Sequence, residues 1–530
     1  MLLHDRVKYG LRTLFGELTN SRQVDFSPSP YETAQYIIHR PSVSEPGIRF
    51  ILGSRQADGS WGTAGYALVP TLGAATALLA YHERTAVEDA EVRRRALLAG
   101  LRWLTDAFTS ESAELDLPDT VASEILVPSL VESIRRQRES PSDREVADAV
   151  DAFLAASDRR QVGEQEKFAV LRSYVSEGAE LPKKVWHIIE ALEPIGPAAA
   201  RRITPDGGVV GCSPAATALW QKEAESDDLH VTNYLGEVDK AIDSGVPMGA
   251  SMRYFEMLWV LIFAARAGFA AEVPESLLDE IDREYDRETG IGGGDGLPTD
   301  ADDTSFAIIA THGTHRALPL EPLLRFWTGT HFRTYSYERT YSETTNAHAL
   351  ECLSLMSATM SDDRIGDIGR SARRWLVEKQ HTDGYWFDKW CISPYYATGE
   401  CVRAIVAAMT FGSDPESDIA LLTAIEWMLS TQKPDGSWGM GQEGTAEETA
   451  YAVLALDVFL RSLSSDSVYV TKVRSAIQRS TEHLVAEPSS DFPALWMGKD
   501  LYAPRRVIRA AILAGIAVAD RYARMEARSA

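Results

Sequence analysis

The chain has 530 residues, with 77 Asp and Glu against 53 Lys and Arg, for a formal net charge of −24. Its length exceeds the roughly 250–300 residues at which one core usually divides, so two domains are expected. The acidic balance argues against a nucleic-acid surface, which needs a basic stripe, yet leaves room for a local basic pocket that holds an anion.

The start, MLLHDRVKYGLRTLF, carries charges where the apolar stretch of a secretory leader would lie, so no leader is expected. Residues 74–81, 254–265, 305–311, 346–356, 400–409 and 449–460 are rich in Ala and Leu, with apolar residues at i, i+3 and i+4. That spacing predicts helices, and strand-like alternation is rare, so the fold class is all-α. The longest apolar run, residues 257–265, ends at Arg266. Nine residues cannot span a bilayer and predict a buried helix. The four cysteines form no C-x-x-C pair. A reducing, cytoplasmic setting is expected, without zinc ribbon or disulfide framework.

A unit of helix, turn and helix recurs. Gln380-His-Thr-Asp-Gly-Tyr-Trp386 is echoed 52 residues later by Gln432-Lys-Pro-Asp-Gly-Ser-Trp438, and Gln56-Ala-Asp-Gly-Ser-Trp61 is an earlier copy. Asp206-Gly207-Gly208 is a degenerate one. A Thr follows at the next helix start, as Thr398 and Thr449. Asp-Gly suits a tight turn, and the Gln and Trp can tie one helix end to the next. Helix pairs repeated in this way close into a solenoid or an α/α barrel, so these turns speak of architecture.

Gly290-Ile-Gly-Gly-Gly-Asp-Gly-Leu-Pro298-Thr-Asp300-Ala-Asp302-Asp303-Thr304 leads a flexible glycine-rich approach into three carboxylates within four positions. A helix pattern follows, so the acids sit at a helix N-terminus, where the dipole favours negative charge. Three readings compete: a solvated N-cap turn, a metal site whose spacing does not fit an EF-hand, and a Brønsted acid. Close carboxyls cannot all ionise, so the group retains a proton.

Asp300-Ala-Asp302-Asp303 resembles the DxDD motif of class II terpene cyclases, and the Gln/Trp turns resemble the QW motifs of that superfamily. Further segments resemble class II diterpene cyclases of the bacterial copalyl and halimadienyl diphosphate synthase type. They are Val246-Pro247 with Phe255-Glu256-Met-Leu-Trp259, Ser342 with Asn346-Ala-His348-Ala-Leu350, Trp386-Phe-Asp388-Lys389-Trp390 with Ser393-Pro-Tyr-Tyr-Ala-Thr398, Asp206–Ala218, and Trp496-Met-Gly-Lys499-Asp-Leu-Tyr502.

The resemblance implies two α/α barrels. Residues 1–22 would pack on the catalytic barrel, 23–235 would form an inserted barrel, and 236–530 the catalytic one. It implies that Asp302 is the general acid, that Asp300 and Asp303 orient it, and that Asn346 or His348 positions its proton. Asp302 would protonate the terminal alkene of a linear prenyl diphosphate, two fused rings would form, and the diphosphate would stay on the product. Tyr254, Trp259, Trp386, Trp390, Tyr395 and Tyr396 are the candidate aromatic wall, with Trp390 foremost. Such rings stabilise a cation by about 0.5–2 kcal/mol each. Lys183, Lys184, Lys389 and Lys499 are candidate diphosphate contacts. Mg²⁺ is the implied cofactor, with Glu111, Glu114, Asp116 and Glu124 as candidate ligands. Geranylgeranyl diphosphate is the favoured substrate and farnesyl diphosphate, giving a drimane-type product, the runner-up. No DDxxD string suited to ionising a diphosphate occurs; Asp362-Asp363-Arg-Ile-Gly-Asp367 has the wrong spacing. An α/α-barrel glycoside hydrolase or lyase is the rival enzyme and a non-enzymatic solenoid the rival binding module. No nucleic-acid partner and no stable membrane span are expected, and the oligomeric state is left open.

Overall fold

Buried hydrophobic side chains gather into two separate cores. One joins residues of 7–26 to residues of 248–522, and the other takes in residues of 31–246. The computed structural model describes residues 3–82, 90–109, 120–138, 142–159, 165–338, 340–360, 362–464, 467–486 and 492–529. The fold is all-α, and among the described residues it has one short hairpin, Trp496–Met497 against Leu501–Tyr502.

Six helices close the larger barrel's inner ring: Arg253–Arg266, Ala301–Thr311, Glu343–Ser357, Pro394–Ala407, Ala446–Ser462 and Arg505–Ser529. Each packs on the next, and the last returns to the first. Leu3–Asn20 joins the outer ring, burying Val7, Leu11, Leu14, Phe15 and Leu18 beside Arg505–Ser529. The smaller ring is Pro30–His39, Leu68–Ala80, Ser123–Arg136, the 3₁₀ stretch Lys183–Leu192 and Pro214–Ala224, again closed on itself. Inner helices such as Leu68–Ala80 are apolar on nearly every side, as a helix surrounded by others must be.

The cores change over between Val246 and Met248. Position 235, where the sequence placed the boundary, falls inside the helix Leu229–Ala241, whose Val231 and Leu235 belong to the smaller core.

The Gln/Trp turns are straps. Trp386 Nε1 donates to Leu376 O at 2.8 Å, Trp438 Nε1 to Met428 O at 2.7 Å and Trp61 Nε1 to Ile51 O at 2.6 Å. Gln380 Nε2 donates to Gly384 O and Ala420 O, and Gln432 Nε2 to Gly436 O and Ala476 O. The Thr after each turn accepts a buried backbone N–H: Trp61 N to Thr71, Val210 N to Thr217, Ile291 N to Thr304, Trp386 N to Thr398 and Trp438 N to Thr449, at 2.9–3.1 Å. Each tie satisfies a main-chain donor that burial would otherwise leave unpaired.

Lys499, on the hairpin loop, joins the barrels. Its Nζ donates to Glu32 at 2.9 Å, Glu190 at 2.6 Å and Ser213 Oγ at 2.9 Å. Among the described residues no helix is long and apolar enough to cross a membrane.

Candidate active site

The glycine-rich approach is tightly packed, not loose. A Cβ on Gly294 would stand 2.0 Å from Ser251 O. Gly296, at φ +82°, lies against the backbone of Gly211 and Cys212 from the other barrel. The chain then enters Ala301–Thr311 through its N-cap, Asp300. The Asp300 carboxylate accepts from Asp302 N at 2.9 Å and Asp303 N at 2.8 Å. That cap fixes the first turn and orients the other two acids.

Asp302 Oδ1 accepts from His348 Nδ1 at 2.5 Å, across to the neighbouring helix Glu343–Ser357. All three acids line the cavity between the barrels. Asp302 is the most accessible of them at 8%, against 2% for Asp300 and 5% for Asp303. Burial, set against a hydrogen bond from Asp303 and repulsion from Asp302, raises Asp300 to about 7. Burial and the charge of Asp300 hold Asp303 well above the usual carboxylate range. Asp303 is therefore the protonated member of that pair and Asp300 the acceptor. Burial opposes a charge on His348, but Asp302 and Glu400 outweigh it and raise the imidazole to about 9. At neutral pH His348 is an imidazolium: its Nδ1 donates to Asp302 and its Nε2 faces Glu400 at 3.3 Å.

Phe306 lies against the imidazole, with ring centroids 4.1 Å apart, and Trp259 meets it edge-on at 5.7 Å. Trp259 Nε1 donates to Tyr396 Oη at 2.8 Å, locking two wall residues together. Phe255, Trp259, Tyr335, Trp390, Tyr396 and Trp496 line the cavity beside the acids. Lys183, Lys184 and His187 line it from the smaller barrel. The result is an aromatic cavity with a carboxyl cluster on one wall and cations across the barrel interface.

The other candidates lie elsewhere. Asn346 does not reach the acids: its Oδ1 accepts from Phe332 N at 2.7 Å, and its Nδ2 donates to Phe332 O and Ser342 O. It stands where the other repeats carry their strap Thr. Trp386 is fully buried in its own strap, and Tyr395 packs on Trp427 at 4.8 Å. Tyr254 lines a different cleft, with Arg22, Asp295 and Arg505. Lys389 is ion-paired to Glu338 and covers Trp390 at 5.0 Å. Lys499 is spent on its buried carboxylates. Trp390 lines the cavity, and its Nε1 is buried with no protein partner among the described residues.

Glu111, Glu114 and Asp116 lie outside the described residues. Glu124 opens Ser123–Arg136, with its Oε1 3.5 Å from Lys167 Nζ. Among the described residues no three His, Cys, Asp or Glu side chains converge as a metal site would require. Of the four candidate Mg²⁺ ligands only Glu124 lies among the described residues, and no step below passes through a metal.

Three features escaped the sequence reading. Glu400 faces His348 from Pro394–Ala407, Arg266 clamps Glu400, and His187 lines the cavity with a buried Nε2 that has no partner among the described residues. Burial, with Lys499 nearby, lowers His187 to about 3 despite a hydrogen bond to the Lys184 backbone, so it is neutral. The legible signal was a charge inside an apolar helix: Arg266 ends the longest apolar run, and Glu400 sits one turn after Tyr396.

The family model of the squalene-hopene cyclase C-terminal domain matches residues 340–466. The chain is 39% identical over 508 residues to terpentedienyl-diphosphate synthase of Kitasatospora griseola, covering 94% of this chain and 98% of that protein. It is 36% identical to ent-copalyl diphosphate synthase of Streptomyces sp. (strain KO-3988), covering 94% of each. Its fold is similar to ent-copalyl diphosphate synthase from Streptomyces platensis, with a TM-score of 0.83, 33% identity, and coverage of 97% of this chain and 99% of that one.

Proposed function

The chain belongs to the class II diterpene cyclase family, enzymes that cyclise a linear prenyl diphosphate by protonation, and from that premise we propose geranylgeranyl diphosphate as its substrate and Asp302 as its acid. The observation that carries the proposal is the Asp302–His348 contact at 2.5 Å on the wall of an aromatic cavity.

Asp302 gives its proton to the terminal alkene. The C–H bond forms from the alkene π pair, and the carboxyl O–H pair stays on Asp302. The negative charge that develops there is met by the His348 imidazolium. The tertiary cation is attacked by the next double bonds of the folded chain, and two fused rings close. A base then takes a proton from the carbon next to the cation, the C–H pair becomes the new π bond, and the product is an isomer of the substrate with its diphosphate intact. Protonating an alkene with a carboxylic acid is steeply uphill. The cavity lowers that barrier by placing the chain and by fixing charges and dipoles before the reaction starts. Trp259, Trp390, Tyr396 and Trp496 supply ring faces to the cation, each contributing about 0.5–2 kcal/mol. Lys183 and Lys184 hold the diphosphate, since they line the same cavity across the barrel interface.

Incubation with ten-, fifteen- and twenty-carbon diphosphates, then phosphatase treatment and mass spectrometry, tests this reading. A bicyclic alcohol from the twenty-carbon substrate, seen only after phosphatase, is expected. Release of inorganic diphosphate would contradict retention, and turnover of the fifteen-carbon substrate alone would replace the chain length. Mg²⁺ held by Glu111, Glu114, Asp116 and Glu124 remains part of the proposal. Turnover should weaken in chelator and return with added Mg²⁺, and undiminished turnover in chelator removes the ion.

A further inference from the structure

Behind His348 the barrel core holds three more charged side chains. Glu400 Oε2 lies 3.3 Å from His348 Nε2, an ion-pair distance without full hydrogen-bond alignment. Arg266 clamps Glu400 with two hydrogen bonds, at 2.7 and 2.6 Å, and reaches Glu351 at 3.1 Å. The His348, Glu400 and Arg266 side chains are 1%, 6% and 6% exposed, so only Glu351, at 20%, meets water. The set spans three neighbours of the inner ring: Arg266 ends Arg253–Arg266, His348 and Glu351 share Glu343–Ser357, and Glu400 lies in Pro394–Ala407.

Charge counting gives the set a direction. Arg266 neutralises one of the two carboxylates, and buried charges persist only when paired. After Arg266, His348 Nε2 is the cationic atom at ion-pair distance from Glu400, at 3.3 Å. Arg403 is the other cation nearby: Glu351 and Glu400 attract it, but among the described residues no carboxylate reaches it at ion-pair distance. Cys401 adjoins Glu400 on the same helix, a buried thiol pushed well above its ordinary range. Asp302 faces His348 from Ala301–Thr311, with Asp300 and Asp303 behind. Tyr396 shares the helix of Glu400, and Cys352 lies on the helix of His348 itself. The other two neighbours, Phe306 and Trp259, are uncharged rings.

We propose that Glu400, fixed by Arg266, is a positioning residue for the acid: it keeps His348 an imidazolium whose Nδ1–H points at Asp302. The inference rests on Asp302 as proton donor. Without Glu400, His348 loses the partner that holds its second proton. A neutral imidazole can then turn a lone pair to Asp302 and take up its proton.

Glu400→Gln tests it, because glutamine keeps the size and still accepts from Arg266, which retains Glu351 as its charged partner. In ¹⁵N-histidine NMR, with His348→Asn as assignment reference, the His348 titration midpoint should fall by at least about one pH unit. The alkaline limb of kcat/KM for cyclic diphosphate formation should move by the same amount. KM well below that limb should stay unchanged, since Glu400 does not line the cavity. Glu351→Gln frees Arg266 to neutralise Glu400, so it should shift the midpoint in the same direction by less. It serves as the readout if Glu400→Gln fails to fold. Unmoved midpoints overturn the proposal, whatever happens to Tm. Because NMR needs no turnover, a parent enzyme that forms no cyclic diphosphate would sink the cyclase reading while Glu400 is still judged.

Discussion

Asp302 is suited to give up a proton because of what surrounds its carboxyl. One oxygen is fixed by His348 at 2.5 Å, and the carboxyl lines an aromatic cavity. Asp302→Asn keeps the side chain's shape and removes the acid. Cyclisation should fall by about 10³-fold or more, the order of a lost general acid, with Tm within a few degrees of the parent. Gas chromatography of dephosphorylated product measures the first and calorimetry the second; substantial bicyclic product from the variant ends the assignment. The acid triad was legible because three carboxylates within four positions at a helix start make an unusual electrostatic arrangement. Asn346 and Lys499 were not. A letter on a helix does not say which way the side chain turns, and both point into the scaffold. Asn346 spends its amide on Phe332 and Ser342, and Lys499 spends its charge on Glu32 and Glu190.

An element in this fold is a helix together with the strap that ties its start. The strap around Trp438 uses Nε1 to Met428 O and the backbone N–H to Thr449 Oγ1, both buried. Trp438→Phe fills most of the same space but leaves the Met428 carbonyl one partner short. The loss should be about 1–3 kcal/mol, read as a lower midpoint in urea unfolding, while kcat/KM of the folded enzyme stays near the parent's. An unchanged midpoint would show that the indole N–H does not bear on stability. The six helical segments foreseen from periodicity all lie in inner rings, where apolar residues cover nearly every face. The strap Thr could be read from the repeat, but its replacement by Asn346 in one unit could not, since the two residues share only the ability to accept that N–H. The glycine-rich approach misled for a related reason. Glycine marks flexibility and close contact with the same letter, and here Gly294 and Gly296 are wedged against the opposite backbone.

At the scale of the molecule, joining two barrels buried many acids, and this sets how stability depends on pH. Burial raises Glu447 to about 8, Asp500 to about 7 and Glu343 to about 7, beside Asp300 at about 7. The native state thus holds protons between about pH 4 and 8 that the unfolded chain has released, so stability falls as pH rises through that window. His348, raised to about 9 despite its burial, adds stability that is full below its unfolded pKa of 6.5 and is lost through 9. The net charge of −24 acts in the same direction, because self-repulsion grows as more acids ionise. Three histidines oppose it: burial lowers His39 to about 4 and His187 to about 3, and burial with Arg333 and Lys379 nearby lowers His331, so stability rises with pH up to 6.5 on their account. Above pH 6.5 these three histidines add nothing further, while the four carboxyls and His348 still lose protons. On the acid side, Glu400 overcomes its burial through Arg266 and His348 and sits well below the usual carboxylate range, so its stabilising charge is lost only in strong acid. Tm at constant ionic strength should therefore peak on the acid side of neutrality, at about pH 5, and decline steadily to pH 9. Scanning calorimetry across that range measures it, and a Tm that is flat or rises from pH 6 to 9 would mean that the buried acids are ionised in the native state.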